Sequence, residues 1–489
     1  GATTNSTYVI TGGTVNKIDL DAGRATVFGG TGDDTIKAGS GAVTITGNGG
    51  SDIITLGSGS AVVTTGSGND KITAGTGAAT IIGGGGDDHV YLSTGQANVT
   101  LGAGANIITT TNTLNATIYN ISAGGGGTDD ITLGDGHVDI NLTSGGFANS
   151  SVINTSTATD ANSSYTIAGG IKNTMTLGAG NYNVTGGSGD DNITITGSGN
   201  DTISLGAGTN VLEVLKGTAK TNYVIKAGVS GSDAITIGNG TGTIDLSVGG
   251  RVDSGTIIVT ATDSNSTYTI TGGVKNTMTL GAGIYSVTGG SGDDSIVAGS
   301  GAATITGSGG QDTIEANSAA VDTVTYNLIG GSGNDQFTLG QGHFTVNGNG
   351  GGDKFTVTNH STANSNYVLT GGDSNTFNLQ NGSYDVKGGA STDKVTLTGS
   401  GNATLALDAG TNTVDATKGT AKTQYKITAG NGGSDTITLG DGHGTIDLSV
   451  NGRVDNATIT INATDASSAY TITGGVENNM TLGGGSYNV

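Results

Sequence analysis

Four evenly spaced aspartates are the side chains of this sequence whose type and spacing could do chemistry. They are Asp34, Asp52, Asp70 and Asp88, each 18 residues after the one before. If the fold repeats with the same period, their carboxylates stack at ~5 Å, which is the distance between neighbouring β-strands. Like charges at that distance repel each other unless they are neutralised. The spacing therefore favours a bound cation.

These aspartates belong to a nine-residue repeat that forms nine consecutive blocks from Gly29 to Thr109. Position 4 of every block is Gly, and position 8 is Ile or Val. Position 6 alternates, reading Asp34, Val43, Asp52, Ala61, Asp70, Ala79, Asp88, Ala97 and Asn106. Because Asp returns only in every second block, the true period is two blocks, or 18 residues.

Each nine-residue block predicts one turn followed by one short strand. Six residues rich in Gly, which adopts φ > 0 readily, form the turn. The next three form the strand, with one Ile or Val side chain pointing inward. Two blocks make one coil, and stacked coils bury apolar side chains between two parallel sheets. We therefore predict an all-β fold, a right-handed parallel β-roll or β-solenoid with 18-residue coils.

The composition agrees with this fold and excludes several classes of protein. The 489 residues include 95 Gly but no Pro, Cys or Trp, and Pro would remove a hydrogen bond from the sheets. Without Cys there is no disulfide framework and no Cys-based zinc site. The net charge of −22 argues against nucleic acid and anionic membranes and suits cations. No apolar stretch approaches the ~20 residues that span a bilayer.

A longer repeat overlies the short one. A segment such as STYTITGG recurs around five tyrosines: Tyr8, Tyr165, Tyr268, Tyr367 and Tyr470. We expect these tyrosines to pack where repeats meet, with stacking on carbohydrate as the alternative. We divide the chain into repeats at 1–157, which has three extra coils, 158–260, 261–359, 360–462 and the start of a fifth at 463–489. The stretches 138–164, 244–267 and 446–469 lose the nine-residue pattern. We expect them to form wider, irregular coils of one continuous solenoid, with a separately folded domain as the alternative.

The nine-residue blocks resemble the nonapeptide G-G-x-G-x-D-x-U-x of RTX proteins. Perfect or near-perfect copies are Gly29–Lys37, Gly186–Thr194, Gly289–Val297 and Gly330–Thr338. The resemblance implies a calcium-binding β-roll protein, of the S-layer or adhesin type. It also implies an extracellular or cell-surface location, reached by type I secretion from a Gram-negative bacterium. In RTX proteins the position-6 Asp and the turn carbonyls of a neighbouring coil supply the six to eight oxygens that calcium takes.

Two position-6 aspartates separated by one period are needed for one complete calcium site of this kind. Five pairs have that spacing: Asp34/Asp52, Asp52/Asp70, Asp70/Asp88, Asp294/Asp312 and Asp335/Asp353. The remaining candidate ligands lack an Asp one period before or after them: Asp129, Asp191, Asp233, Asp393 and Asp435. The alternative for every candidate is a turn in which the carboxylate accepts a hydrogen bond from its own backbone.

The other edge of the predicted roll carries small apolar residues at position 6. They are Val43, Ala61, Ala79, Ala97 and Ala303, with Asp201 as an isolated exception. We therefore expect several calcium ions, mainly along one edge. His137, His343 and His443 occur once per long repeat and are expected to be surface turn residues. No catalytic set stands out, so we expect no enzymatic activity.

These observations lead to several hypotheses on function. The first is a secreted, calcium-stabilised structural protein of the bacterial cell surface, such as an S-layer, fibre or sheath subunit. Because neither end shows an atypical capping coil, we expect the chain to continue or to assemble with itself into a filament or lattice. Cell-surface polysaccharide is a further candidate partner. The alternatives are a spacer of a large RTX adhesin, an ice-binding protein and a module of a polysaccharide-acting enzyme.

Overall fold

A computed structural model describes residues 7–110, 114, 116–143, 150–215, 217–218, 220–228, 230–247, 254–319, 321–358, 364–430, 432–449 and 456–489. The chain forms two compact units, an N-terminal unit (Gly1–Asp253) and a C-terminal unit (Ser254–Val489). All regular secondary structure in the described residues is β-strand, as predicted. None of those residues belongs to a helix long and apolar enough to cross a membrane.

The N-terminal unit consists of short strands that alternate between two parallel sheets. In chain order its strands are β1 (Thr7–Thr11), β2 (Lys17–Asp19), β3 (Arg24–Gly30), β4 (Thr35–Lys37), β5 (Val43–Gly49), β6 (Ile53–Thr55), β7 (Ala61–Ser67), β8 (Lys71–Thr73), β9 (Ala79–Gly85), β10 (His89–Tyr91), β11 (Ala97–Thr100), β12 (Ile107–Thr109), β13 (Ile118–Ser122), β14 (Thr128–Thr132), β15 (His137–Asn141), β16 (Ser150–Asn154), β17 (Ser164–Ala168), β18 (Lys172–Leu177), β19 (Asn181–Thr185), β20 (Asn192–Ile195), β21 (Asp201–Ser204), β22 (Val211–Val214), β23 (Asn222–Lys226), β24 (Ser232–Ile237) and β25 (Thr241–Asp245). Odd-numbered strands form sheet A and even-numbered strands form sheet B.

The C-terminal unit has the same two-sheet arrangement, again with odd-numbered strands in sheet A and even-numbered strands in sheet B. Its strands are β26 (Ser254–Val259), β27 (Thr267–Thr271), β28 (Asn276–Leu280), β29 (Ile284–Gly290), β30 (Ser295–Val297), β31 (Ala303–Ser308), β32 (Thr313–Ala316), β33 (Thr325–Gly331), β34 (Gln336–Leu339), β35 (His343–Asn349), β36 (Lys354–Val357), β37 (Asn366–Thr370), β38 (Thr376–Leu379), β39 (Ser383–Lys387), β40 (Lys394–Leu397), β41 (Asn402–Ala406), β42 (Thr413–Ala416), β43 (Gln424–Thr428), β44 (Ser434–Leu439), β45 (His443–Asp447), β46 (Asn456–Ile461), β47 (Ala469–Thr473), β48 (Asn478–Leu482) and β49 (Ser486–Asn488).

The register of the strands confirms the predicted coil length. In sheet B of the N-terminal unit, Thr35 pairs with Ile53, and Ile53 pairs with Lys71. Two of the wider coils are also confirmed: His137 pairs with Ser164, 27 residues later, and His443 pairs with Ala469. Residues 144–149 and 450–455 of these two stretches, and residues 248–253 of the third stretch, 244–267, lie outside the described part. The single continuous solenoid stays a prediction.

The core consists of one or two inward side chains per strand, stacked on the equivalent side chains of the neighbouring coils. Ile54 and Ile72 in sheet B and Val63 in sheet A are completely buried. Each such side chain contributes about 1.5–3 kcal/mol when it is buried. Because its contacts come mostly from adjacent coils, a single coil has little stability alone.

The invariant Gly at position 4 follows from the close stacking of the turns. Gly68 and Gly86 have φ values of 126° and 114°, a region that favours Gly. A Cβ atom on Gly68 would also lie 2.0 Å from the carbonyl oxygen of Gly50 in the preceding coil. Both the backbone angle and the lack of space therefore exclude a side chain at this position.

Candidate calcium sites

The predicted calcium ligands occupy equivalent places in the fold, at the start of strands of sheet B. Ten lie directly before a strand, and Asp129, Asp233 and Asp435 are the second residue of theirs. We call this row of Asp and Asn residues the Asx ladder. All thirteen predicted aspartates are buried, with exposed fractions of 2% or less: Asp34, Asp52, Asp70, Asp88, Asp129, Asp191, Asp233, Asp294, Asp312, Asp335, Asp353, Asp393 and Asp435. Burying so many carboxyl groups is costly unless each finds partners.

One oxygen of each ladder carboxylate binds the neighbouring coil. In the N-terminal unit the backbone N–H of Asp34 donates to Oδ1 of Asp52 at 2.9 Å, and that of Asp52 donates to Oδ1 of Asp70 at 2.7 Å. Asp70 donates in the same way to Asp88 at 3.1 Å. Since these bonds join successive coils, the four carboxylates form an uninterrupted run, one per coil.

The C-terminal unit contains a second run of four aspartates, of which sequence reasoning found only two pairs. The N–H of Asp294 donates to Oδ1 of Asp312 at 2.8 Å, and that of Asp312 donates to Oδ1 of Asp335 at 2.8 Å. Asp335 then donates to Asp353 at 3.0 Å. Asp312 and Asp335 are 23 residues apart, because the connection from β32 to β33 is longer than usual. The same longer step recurs in the sequence and is the signal that could have revealed this neighbour.

The second oxygen of most aspartates in the two runs has no hydrogen-bond partner. This holds for Oδ2 of Asp34, Asp52, Asp70, Asp88, Asp294, Asp312 and Asp335. Except in Asp70, each of these oxygens lies beside the Gly at position 1 of its block. A Cβ atom on Gly29 would lie 2.1 Å from Oδ2 of Asp34 and 3.1 Å from the carbonyl oxygen of Gly47. Carboxylate and backbone oxygens thus converge on one region of the turn.

Asp70 differs because Thr65 replaces the Gly at position 1. Burial raises the pKa of Asp70. The Thr65 hydroxyl donates to the carbonyl oxygen of Gly83 at 2.8 Å, and Oδ2 of Asp70 has no hydrogen-bond partner. At the end of the second run, Oδ2 of Asp353 accepts the N–H of Gly372 at 3.2 Å. Each aspartate of the two runs therefore accepts a backbone N–H of the preceding coil at Oδ1, whereas the surroundings of Oδ2 differ among them.

Burial and mutual repulsion disfavour the ionised form of these carboxyl groups. Burial raises the pKa of Asp52 to about 6, and the negative charges of Asp70 and Asp34 add to the increase. Burial likewise raises the pKa of Asp88 to about 7 and that of Asp312 to about 7. A cation bound among the carboxylates would offset both the burial and the repulsion, and would therefore favour the ionised form.

The donor set fits calcium. Calcium takes six to eight oxygens and accepts both carboxylate and backbone carbonyl ligands. Among the described residues no three His, Cys, Asp or Glu side chains converge on one point. Backbone carbonyls of the stacked turns would therefore have to supply much of the coordination shell. Zinc, which prefers nitrogen and sulfur ligands, does not fit this set.

The predicted ligands without an Asp neighbour have different surroundings. Oδ2 of Asp191 accepts the N–H of Gly187 from its own turn at 2.7 Å, and Oδ2 of Asp393 accepts that of Gly389 at 2.9 Å. Oδ2 of Asp233 accepts the N–H of Gly228 at 3.0 Å. Oδ1 of Asp129 and of Asp435 accepts the N–H of an Asn in the preceding coil, at 3.1 and 2.8 Å.

The opposite edge of the coils lacks a row of carboxylates, as predicted. Val43, Ala61, Ala79, Ala97 and Ala303 are buried at the first residue of their sheet A strands. Asp201 occupies the same position, accepts the N–H of Tyr182 at 3.1 Å, and has its pKa raised by burial to about 7. His137 and His343 are exposed at the start of β15 and β35, and His443 is half-buried at the start of β45.

Sequence reasoning missed that tyrosines occupy this opposite edge in many coils. Their hydroxyl groups donate to turn carbonyls: Tyr165 to Gly134 at 2.7 Å, Tyr326 to Gly299 at 2.9 Å, and Tyr470 to Gly440 at 2.8 Å. Neighbouring rings stack, with the centroids of Tyr165 and Tyr182 4.8 Å apart. Four of the five repeat-marking tyrosines are buried, so they cannot stack on carbohydrate; Tyr8 is partly exposed.

The fold and the two runs of aspartates are similar to those of calcium-binding β-solenoid repeat proteins. A family model, the RTX calcium-binding nonapeptide repeat (4 copies), matches residues 28–63, 64–96 and 288–319. Those segments contain all four aspartates of the first run and two of the second. The match and the parallel two-sheet coils together fit an RTX β-roll protein. No curated protein matches the chain.

Proposed function

We propose that this chain is a secreted, calcium-stabilised structural protein of the bacterial cell surface, an S-layer, fibre or sheath subunit without enzymatic activity. The observation that carries the proposal is the pair of uninterrupted aspartate runs with buried, unpartnered Oδ2 atoms. These carboxylates lie beside turn carbonyls. Their arrangement supports a role in holding coils together.

Calcium would supply the positive charge that the two runs lack. The residues of this chain hold the carboxylates in line through Oδ1 and leave Oδ2 available for the ion. Without it, burial and repulsion oppose ionisation of the aspartates and weaken the stacked coils. Extracellular calcium modules have dissociation constants of about 10⁻⁴–10⁻³ M. A chain that depends on such sites folds best after export, which agrees with the type I secretion typical of RTX proteins.

Assembly with further copies of the same chain is supported by the outer face of sheet A in the N-terminal unit. Phe28, Val62 and Ile82 are each more than 40% exposed on this face. Strands β3, β5, β7, β9 and β11 contain no Asp or Glu, although the chain carries a net charge of −22. Two copies can therefore meet at this face without the repulsion that acts elsewhere.

Cell-surface polysaccharide is a second partner that we propose for the same face. An open groove of about 580 Å³ runs across β3, β5, β7, β9, β11 and β13. Hydroxyl and amide side chains line it, including Thr44, Ser60, Gln96 and Asn98, and Arg24 is its charged residue. Such a lining can form hydrogen bonds with a neutral or weakly anionic glycan.

The test is to add about 5 mM calcium to chelator-treated protein and to record far-UV circular dichroism and negative-stain micrographs. We expect a gain of β signal together with sheets or fibres. Monomeric particles with a gain of β signal would favour an adhesin spacer instead. No response to calcium in either measurement would overturn the calcium proposal.

A matched pair of variants tests the assembly face. Val62→Asp places a charge on sheet A, whereas Ile53→Asp places one on the outer side of sheet B, at a residue of similar exposure. We expect the first change to reduce assembly at least tenfold in sedimentation experiments and the second to leave it unchanged. Equal effects of the two variants would refute the assignment to sheet A.

A further inference from the structure

We infer that asparagines divide the Asx ladder into calcium-binding runs and calcium-free steps. Calcium then binds along Asp34–Asp88 and Asp294–Asp353 but not at Asp191, Asp233 or Asp393. The inference rests on the proposed calcium binding and specifies where along the chain it takes place.

The calcium-free steps have an Asn amide where a calcium-binding step has another carboxylate. Nδ2 of Asn173 donates to Oδ1 of Asp191 at 2.7 Å. Asn210 donates in the same way to Asp233 at 2.9 Å, and Asn375 to Asp393 at 2.7 Å. In each case the backbone N–H of the same Asn also donates to that Oδ1, at 2.7–3.0 Å.

Both oxygens of these aspartates are consequently satisfied by the protein. Oδ1 accepts two N–H groups from Asn, and Oδ2 accepts the glycine N–H of its own turn. The three N–H donors lower the pKa of Asp191 and partly offset the increase that burial causes. Calcium at Oδ2 would have to compete with the glycine amide for this oxygen, whereas Oδ2 of Asp52 has no partner.

Asp52 shows the contrasting arrangement. Its Oδ1 accepts one N–H, its Oδ2 has no partner, and further aspartates, Asp34 and Asp70, lie in the two adjacent coils and repel its negative charge. Asparagine removes this repulsion because its side chain is neutral. The two types of step therefore differ in available oxygen and in local charge, and both differences favour calcium at the Asp–Asp steps.

Asparagines also lie at both ends of each run. Nδ2 of Asn16 donates to Oδ1 of Asp34 at 2.7 Å, and Oδ1 of Asn106 accepts the N–H of Asp88 at 3.1 Å. Asn276 donates to Asp294 at 2.8 Å, and Asn375 accepts from Asp353 at 3.1 Å. The same residue type thus lies at both ends of each run.

The test compares Asp52→Asn with Asp191→Asn in the full chain. Bound calcium is counted by equilibrium dialysis, and metal-free stability is measured by thermal melting. Asp52→Asn removes a ligand oxygen from a position where an amide can donate to turn carbonyls. We expect it to lose one or more bound ions and to melt, without metal, at the wild-type temperature or higher.

Asp191→Asn is expected to give the opposite pattern. The introduced amide would point its N–H groups at the donor of Gly187, so the metal-free melting temperature falls while the number of bound ions stays that of the wild type. Asp312→Asn and Asp393→Asn repeat the comparison in the C-terminal unit. Far-UV circular dichroism with calcium verifies that each variant is folded.

The outcomes separate this inference from the proposed function. If Asp191→Asn loses as many ions as Asp52→Asn, calcium binds but the division by asparagine is wrong. If neither variant loses an ion although the wild type binds calcium, the assignment to the two runs is wrong. If the wild type binds no calcium, the proposed function fails first.

Discussion

The two edges of each coil place different polar side chains beside the turn carbonyls. On the Asp edge, which carries the Asx ladder, buried carboxylates face turn carbonyls and have unpartnered oxygens. On the Tyr edge, at the start of the sheet A strands, buried phenols donate to such carbonyls directly, as Tyr326 does to Gly299. The two runs on the Asp edge leave oxygens for a cation, while the Tyr edge contains its own donors. The comparison predicts that calcium controls only one side of the coil.

Removing calcium should have the largest effect on the stability of the folded chain. With each site saturated at about 100 times its dissociation constant, calcium adds about 2.7 kcal/mol per ion to the free energy of unfolding. Several ions would therefore shift the melting temperature by more than 10 °C, because about 1 kcal/mol moves it by at least 2 °C in domains of this size. Thermal melting with calcium and with chelator measures the shift. Magnesium serves as the control, and an equal shift with magnesium would count against calcium ligation.

The second-largest effect should be that of pH on the stability of the calcium-free protein. The pKa of Asp52 is raised to about 6, and those of Asp88 and Asp312 are raised to about 7. Between pH 4 and 7 the folded chain therefore holds protons that the unfolded chain releases, so stability falls as pH rises. We expect a loss of about 1–3 kcal/mol per carboxyl group between pH 5 and pH 8.

Urea denaturation of chelator-treated protein at these two pH values measures this change. Adding calcium should reverse the trend, because the ion binds the deprotonated carboxylates. Metal-free stability that rises from pH 5 to pH 8 would show that the carboxylates are not buried as described.

On the Tyr edge, Tyr326→Phe should have a smaller effect that calcium does not change. The substitution removes the hydroxyl that donates to Gly299 and leaves the stacking with Phe344 in place. We expect a loss of about 1–2 kcal/mol in the free energy of unfolding, the same with calcium and with chelator. Tyr91→Phe is the control, since the Tyr91 ring lies on the outer side of sheet B beside His89. A calcium-dependent effect of Tyr326→Phe would break the distinction between the edges.

The smallest expected effect is that of substituting Asp201, which is a carboxylate on the Tyr edge. Burial raises its pKa to about 7. Without calcium, Asp201→Asn should increase the free energy of unfolding by about 0.5–1 kcal/mol at pH 8 and leave it unchanged at pH 5. Urea denaturation at both pH values measures the difference. A gain of equal size at pH 5 would mean that ionisation is not its cause.

Much of this arrangement could be predicted from the sequence, because it depends on local periodicity. The alternation of Asp and Ala at position 6 predicted the length of the coil and placed the aspartates on one edge. The contact of Asp312 with Asp335 was not predicted, because a longer connection changes the spacing without changing the stacking of the coils. The reach of the Tyr326 hydroxyl to Gly299 depends on the path of a turn in the preceding coil, which no periodicity reveals.

The asparagine contacts show a second limit of the sequence. Asn173 and Asp191 are 18 residues apart like any regular pair of the ladder, so the spacing alone cannot distinguish amide-to-carboxylate bonding from shared calcium. The distinction requires the position of the Gly187 amide, which is set by the fold of the turn. The nonapeptide pattern locates candidate ligands, whereas the hydrogen bonds divide them into two groups.

The register of the strands also has a mechanical consequence. If a single molecule is pulled from its ends, coils that detach one at a time each release about 18 residues, or roughly 60 Å of extended chain. The coil in which His137 pairs with Ser164 would release about 27 residues, or roughly 90 Å. A force–extension trace would therefore show a regular sawtooth interrupted by longer steps. Calcium would raise the force at which the coils of the two aspartate runs detach.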